Sequence, residues 1–334
     1  MAHRLPPDVP FALGALAAFA FLSVSAAPAA AAEEAVDLEL VLASDASRSI
    51  DPVEAKLQRT GTADAFRSRE IIKAITSGSH GKIAVAYVDY SSRDFNTLVV
   101  NWRVISDEKS ALAFAGALLK APLSYGQRTS ISDALEYAAA LIGTNNYNGM
   151  RKVIDISGDG PNNYGRRVDV VRDEVVAKGI VVNGLAIVNA EDSFTYQYMP
   201  DLDRYFSACV TGGPGAFVMK ATSFADYARA IRGKLFREIA NLDAHDAEKM
   251  QRAAAEPDND APILIRTSSP PLMLAQAQRV VPKRAPPKRP AYEQGCDIGE
   301  RMRRGWGYDG LGGGTRNGNV FEFPLPPLAP LRDN

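Results

Sequence analysis

The chain has 334 residues, 46% of them hydrophobic and 23% charged, a length that allows about two domains before its unusual ends are set aside. Its 38 basic and 39 acidic residues leave a formal charge of −1, which offers no general attraction for nucleic acid or an anionic membrane surface. With only two cysteines, Cys209 and Cys296, disulfides are not the main source of stability. Two unpaired thiols are the simpler expectation, and a bridge between them is the alternative.

The first segment has the pattern of an export signal. Arg4 precedes an apolar stretch from Phe11 to Val24, too short for a comfortable membrane span, and small residues continue to Ala32 before Glu33 and Glu34. Cleavage is expected near Ala30-Ala31-Ala32, and no cysteine is available there for a lipid anchor. The expected organisation is a signal peptide over residues 1–32, a folded domain over 33–242 and a tail over 243–334. The product would be exported, periplasmic or secreted from a bacterium, with no stable membrane span after cleavage.

From Val36 onward, short apolar runs alternate with amphipathic stretches, the signature of strands separated by helices. Val36 to Leu42 reads as the first strand. Asp51 is a candidate N-cap, with Pro52 at the first helical position and Glu54 completing a capping box, so a helix is expected from there towards Ile75. Strands are expected over Lys82–Tyr90 and Leu98–Val104. The few residues between them predict an antiparallel hairpin at a sheet edge.

Glu108–Leu119 and Ser130–Leu141 have helical apolar spacing, and Val153–Ile156 is a buried-looking strand. A helix over Val168–Lys178 ends at Gly179, and Val181–Ile187 follows as a strand. Asn189 to Cys209 reads as a surface excursion with a short helix near Asp201–Phe206. Phe217–Met219 is the last strand, and Ser223 is expected to cap a final helix running to about Asn241 with Phe224, Tyr227, Ile231 and Leu235 on one face. The predicted fold class is α/β: a doubly wound, mostly parallel, Rossmann-like sheet with one antiparallel edge strand and helices on both faces.

Beyond Asp243 the alternation stops and Pro, Arg, Ala and Gly dominate, which predicts a mostly disordered tail. Gly213-Pro214-Gly215 precedes a strand and lacks a phosphate-loop lysine, so it reads as a tight turn. His80 reads as a surface residue.

Chemistry concentrates at three loops. Asp45-Ala46-Ser47-Arg48-Ser49 closes the first strand with one carboxylate and two hydroxyls at alternate positions; alone, it reads as a capped strand-to-helix junction more readily than as a metal site. As metal ligands, such hard oxygen donors suit Mg²⁺, Mn²⁺ or Ca²⁺. An octahedral cation needs about six oxygens, so other loops must contribute. Thr129 precedes a helix, and Asp159 follows the Val153–Ile156 strand. Ligands of open parallel sheets collect beyond the carboxyl ends of strands, where these three loops can meet. Asn162 and Asn163 either line that face or serve as turn residues.

With Asp45, Ser47, Ser49, Thr129 and Asp159 in this order, the chain resembles the von Willebrand factor A domain and its metal-ion-dependent adhesion site. The runs Val153-Ile-Asp-Ile-Ser-Gly-Asp-Gly-Pro-Asn-Asn163 and Gly212-Gly-Pro-Gly-Ala-Phe-Val218 resemble an exported bacterial subfamily classed as a domain of unknown function. The resemblance spans about Val36 to Asn241. It implies a cation, Mg²⁺ or else Mn²⁺ or Ca²⁺, bound by those five residues directly or through water. The open coordination position would be filled by an Asp or Glu carboxylate of a protein partner. Arg48 departs from the small residue common there, and would either strengthen attraction for an acidic partner or obstruct it.

The resemblance implies a protein-binding module rather than an enzyme, with an assembly protein acting through its tail as the alternative and a metal-assisted hydrolase as a lesser one. Of the three histidines, only His80 and His245 follow the export signal, and neither is placed beside Ser47 or Ser49 to activate a nucleophile.

Overall fold

The computed structural model describes residues 33–92, 95–189, 199–240 and 292–305. The expected export signal, the Tyr196 and Tyr198 part of the surface excursion, His245 and most of the tail lie outside these residues.

Six strands form one sheet: β1 (Glu34–Asp45), β2 (Ile83–Tyr90), β3 (Asn96–Ile105), β4 (Tyr147–Gly158), β5 (Val181–Ile187) and β6 (Val218–Ala221). Their order is β3-β2-β1-β4-β5-β6; all neighbours are parallel except β2 and β3. The helices are α1 (Pro52–Arg67), α2 (Arg69–Thr76), α3 (Glu108–Lys120), α4 (Ile131–Gly143), α5 (Val168–Ala177), α6 (Leu202–Tyr205), α7 (Tyr227–Ile239) and α8 (Ile298–Gly305). The doubly wound α/β class and the antiparallel edge strand are as the sequence predicts.

Period-two alternation divides the core. Leu38, Leu40 and Leu42 of β1 pack with Phe66, Phe114, Tyr227 and Leu235 on the face covered by α1, α2, α3 and α7. Val41 and Ala43 point the other way, into a cluster with Leu135, Val171, Tyr205 and Phe206 from α4, α5, α6 and the turn that follows it. Chain order reverses between β1 and β4, which both run towards the same end of the sheet. That crevice is the switch point where loops gather.

The Asp51 capping box forms as expected, its side chain accepting from Val53 and Glu54 N–H groups. The single helix expected to reach Ile75 is instead broken at Ser68. That residue is extended at ψ 137°, and its Oγ accepts from Ile71 N–H while its own N–H bonds Ala65 C=O, ending α1 and starting α2. The final helix begins at Tyr227; Ser223 caps only the preceding turn, accepting from Asp226 N–H. Strand β4 starts six residues before Val153, because its polar first half pairs with β1 from Glu34 onward.

Two cysteines expected as separate thiols are joined: Cys209 and Cys296 form a disulfide across 87 positions of sequence. A bridge closing so long a loop contributes about 2–4 kcal/mol. It fastens residues 292–305, taken from sequence as part of the tail, to the short π-helical turn Phe206–Val210. Tyr292, Cys296, Ile298 and Met302 pack against the α4–α5 side of the core. Among the described residues, no helix is long and apolar enough to cross a membrane.

Candidate metal centre

Strand β1 delivers Asp45 to the switch point, and the loop after it turns back on itself. Asp45 Oδ1 accepts from Ser47 N–H at 2.7 Å, an Asx turn that aims both serine hydroxyls the same way. Ser47 Oγ lies 3.1 Å from Ser49 Oγ, and Ser49 Oγ donates to Asp159 Oδ1 at 2.9 Å. Residues separated by 110 positions thus meet in one polar chain. Asp45 and Ser47 are buried, Ser49 is partly exposed and Arg48 is exposed beside them.

Thr129 joins through its backbone. Its N–H donates to Asn163 Oδ1 at 3.0 Å, and its C=O accepts from Asn163 N–H at 2.9 Å. The Thr129 loop is also tied to the first loop and to the end of β2: Gly126 N–H bonds Ala46 C=O at 2.7 Å, and Ser130 N–H bonds Ser91 C=O at 2.6 Å. A Cβ on Gly126 would sit 2.0 Å from Ser91 Oγ, so only glycine allows this approach. All three predicted loops therefore converge. Asn163, left between a lining and a turn role by sequence, is the clasp between two of them.

Two further residues shape the floor: Tyr90, which no motif marks, and Gly158, which lies within the run from Val153 to Asn163. Tyr90, fully buried, donates its hydroxyl to Ser157 C=O at 3.1 Å, and burial followed by the charges of Asp45 and Asp159 pushes its pKa up. Gly158 has no side chain where a Cβ would stand 2.7 Å from that hydroxyl and 3.1 Å from Asp45 Oδ2. Its absence lets Asp45 lie against the end of β4.

The electrostatics mark Asp45 as the unusual member. Burial first, then the nearby Asp159 carboxylate, raises its pKa well above the ordinary carboxylate range, against the opposing Ser47 N–H bond. Its Oδ2 is buried and meets no hydrogen-bond donor among the described residues. The neighbouring carboxylates are answered differently: Asp89 by Arg59 at 2.5 Å, Asp155 by Lys234 at 2.5 Å. Among the described residues no cluster of three or more His, Cys, Asp or Glu side chains forms a metal cage. A cation here would be held by a mixed carboxylate and hydroxyl set, and an orphaned carboxylate oxygen beside hydroxyls and a second carboxylate fits such an ion.

The other motifs resolve simply. Gly213 and Gly215 have φ of 96° and 72°, the left-handed values of the expected tight turn. His80 is exposed, its backbone N–H bonded to Asp37 Oδ1.

Sheet order, the antiparallel edge and the convergence of loops at the switch point define a doubly wound α/β domain. Within that class, the chain belongs to the family described as a protein of unknown function, DUF1194, whose model matches residues 35–243. No curated protein matches it. Among solved structures, it is similar to proximal thread matrix protein 1 from the mussel byssus with a zinc-occupied MIDAS motif, at 19% identity and a TM-score of 0.44, covering 62% of this chain and 46% of that one. It is also similar to the pilus adhesin SpaC from Lactobacillus rhamnosus GG, at 15% identity, a TM-score of 0.47, and 63% and 32% coverage. A von Willebrand factor type A structure from Catenulispora acidiphila matches at 16% identity, a TM-score of 0.43, and 61% and 43% coverage. The chain spans less than half the length of each of these structures.

Proposed function

We propose that this domain is an exported, non-enzymatic protein-binding module that captures an acidic group of a partner through a divalent cation. Asp45, Ser47, Ser49, Thr129 and Asp159 would hold the ion, with Mg²⁺ first, and Mn²⁺ or Ca²⁺ as alternatives, for an all-oxygen donor set. The observation that carries the reading is Asp45 Oδ2, buried without a hydrogen-bond donor or an ion pair among the described residues while the Asp159 carboxylate works against its charged form. A buried carboxylate in that state costs several kcal/mol unless it is protonated or a cation meets it.

When bound, the cation would supply an electrophilic open position for a carboxylate oxygen. Three of the five residues are neutral hydroxyls; with these nearest the ion and the two aspartates acting through water, the ion would stay attractive to an anion. Asp45 and the Asx turn orient the serines, Asp159 orients Ser49, and Asn163 fixes the backbone of Thr129. Arg48, exposed between the two serines, stands where it adds positive field for an acidic partner.

Calorimetric titration with Mg²⁺ and Mn²⁺, followed by capture of envelope proteins with and without chelator, tests both halves. Heat on titration and chelator-sensitive capture are expected. No heat together with no change in melting temperature defeats the metal reading, and capture that survives both chelator and Asp45→Ala defeats metal-mediated binding.

A further inference from the structure

The disulfide-bound segment 292–305 does more than add buried surface, because of where it lands. Helix α8 sits on the loop that carries Asp159. A Cβ on Gly299 would lie 2.1 Å from the Asn162 carbonyl oxygen, 2.8 Å from its carbon and 3.1 Å from Pro161 Cγ, so the helix backbone rests directly on Pro161 and Asn162. Glu300 Oε1 accepts from Asn162 Nδ2 at 2.7 Å.

Asn162 is fully buried and is the hub of the loop. Its Oδ1 accepts from Ser132 N–H in the first turn of α4, its N–H donates to Tyr205 Oη, and Nδ2 also reaches Arg166 C=O. The next residue, Asn163, clasps Thr129 in both directions. Asp159 lies three positions before the hub, so anything that fixes Asn162 fixes the spacing between Asp159 and Thr129. At its other end the strap is anchored twice more. Cys296 is bonded to Cys209, and Tyr292 stacks edge-on against Tyr205, centroids 5.6 Å apart, while its hydroxyl donates to Asp201 Oδ2 at 3.0 Å.

We propose that the segment around α8 is a strap that positions the metal-holding loops, with Gly299 and Glu300 as its positioning residues. The proposal rests on the cation reading above. Neither residue needs to touch the cation; they act through Asn162, as outer-shell partners orient ligands elsewhere. Glycine is required at 299 for contact, and the carboxylate at 300 saturates an amide donor that burial would otherwise leave costly.

The test uses the full chain carrying Gly299→Ala, Glu300→Ala or Glu300→Gln, with two readouts. Amide hydrogen exchange at Thr129, Ser132, Asn162 and Asn163 in metal-free protein reads the strap itself, and Mg²⁺ titration reads its consequence. Gly299→Ala and Glu300→Ala are expected to speed exchange at those four amides about tenfold and weaken Mg²⁺ about tenfold, while Glu300→Gln, which keeps the acceptor oxygen, stays near wild type. Exchange at Leu40 and Ile154 in the central strands should not move. Wild-type exchange at the four amides in both disruptive variants overturns the proposal; so does equal acceleration at Leu40 and Ile154, which would make the strap a contributor to global stability only. If Gly299→Ala does not fold, Glu300→Ala and reduction of the disulfide with a phosphine decide the same exchange comparison. If wild-type protein gives no Mg²⁺ heat, the cation reading fails and exchange alone decides whether the strap orders the loops.

Discussion

Two regions around the sheet each gather two carboxylates; a lysine lies between one pair, and hydroxyls link the other. Near the middle of β4, Asp155 and Glu238 flank Lys234 Nζ at 2.5 and 2.6 Å, all three buried, with Asn183 Nδ2 donating to Glu238 at 2.8 Å. At the end of the same strand, Asp159 is joined through Ser49 and Ser47 to Asp45, and among the described residues no ion pair reaches Asp45. Burial works against the charged form of Asp155 in the first and of Asp45 in the second. The first has a lysine from α7 between its carboxylates, and the second has hydroxyls, which supply no charge. On the proposed reading, the difference separates a structural ion cluster from a site that takes its cation from outside.

Removing the internal cation should give the largest effect. Lys234→Ala leaves two carboxylates facing each other in the core, and a loss of about 3–5 kcal/mol is expected in urea unfolding at pH 7. A loss below about 1 kcal/mol would mean that the lysine does not carry the balance of that cluster.

The same cluster sets a pH response. Burial, then the Glu238 charge, pushes Asp155 up from 3.8 to about 7, with Lys234 opposing. Between those values the folded chain keeps a proton that the unfolded chain has released. Stability from this group therefore falls as pH rises from about 4 to about 7 and levels off above, at most about 1.4 kcal/mol per pH unit. Asp155→Asn should flatten that slope, measured as unfolding free energy against pH; an unchanged slope would place the response elsewhere.

At the other region, on the proposed reading, the cation is added from solution. Mg²⁺ at about one hundred times its dissociation constant should stabilise the protein by about 2.7 kcal/mol. Asp45→Asn should abolish that gain without lowering metal-free stability, because the amide still accepts from Ser47 N–H and the buried charge is gone. A metal-free melting temperature well below wild type would instead make Asp45 structural. A smaller effect, about 1 kcal/mol, is expected for Ser130→Ala. This loses the cap of α4, where Ser130 Oγ meets Asp133 N–H at 3.3 Å and Asp133 Oδ2 at 2.6 Å, beside Thr129. Thermal unfolding checks it, and no change would show that the cap does not hold this loop.

The contrast also shows why one carboxylate pair was legible and the other was not. Asp45, Ser47, Ser49, Thr129 and Asp159 stand in loops at the ends of predicted elements, where polar side chains in a spaced pattern draw notice. Lys234 follows the helical face of Phe224, Tyr227, Ile231 and Leu235, yet a lysine is assigned to solvent by default. The available signal was Asp155, a carboxylate in the middle of the apolar run Val153 to Ile156, which requires a buried partner. Glu39 is a parallel case: fully buried in β1, it accepts from Asn145 Nδ2 and Gly149 N–H, both at 2.7 Å, and so holds the polar start of β4 that hydropathy alone assigned to no strand.

By itself the sequence determined the alternation of strands and helices, the antiparallel edge, the capping of α1 and the three loops of the candidate site. These depend on periodicity and on side chains within a few residues of one another. Only the tertiary structure decided that Cys209 meets Cys296, that Ser68 breaks a helix, that Lys234 lies in the core, and that Gly299 and Glu300 rest on Asn162. Most of these are contacts across tens to more than a hundred positions, set by which surfaces remain to be covered once the sheet has formed. Local pattern carries no information about that choice.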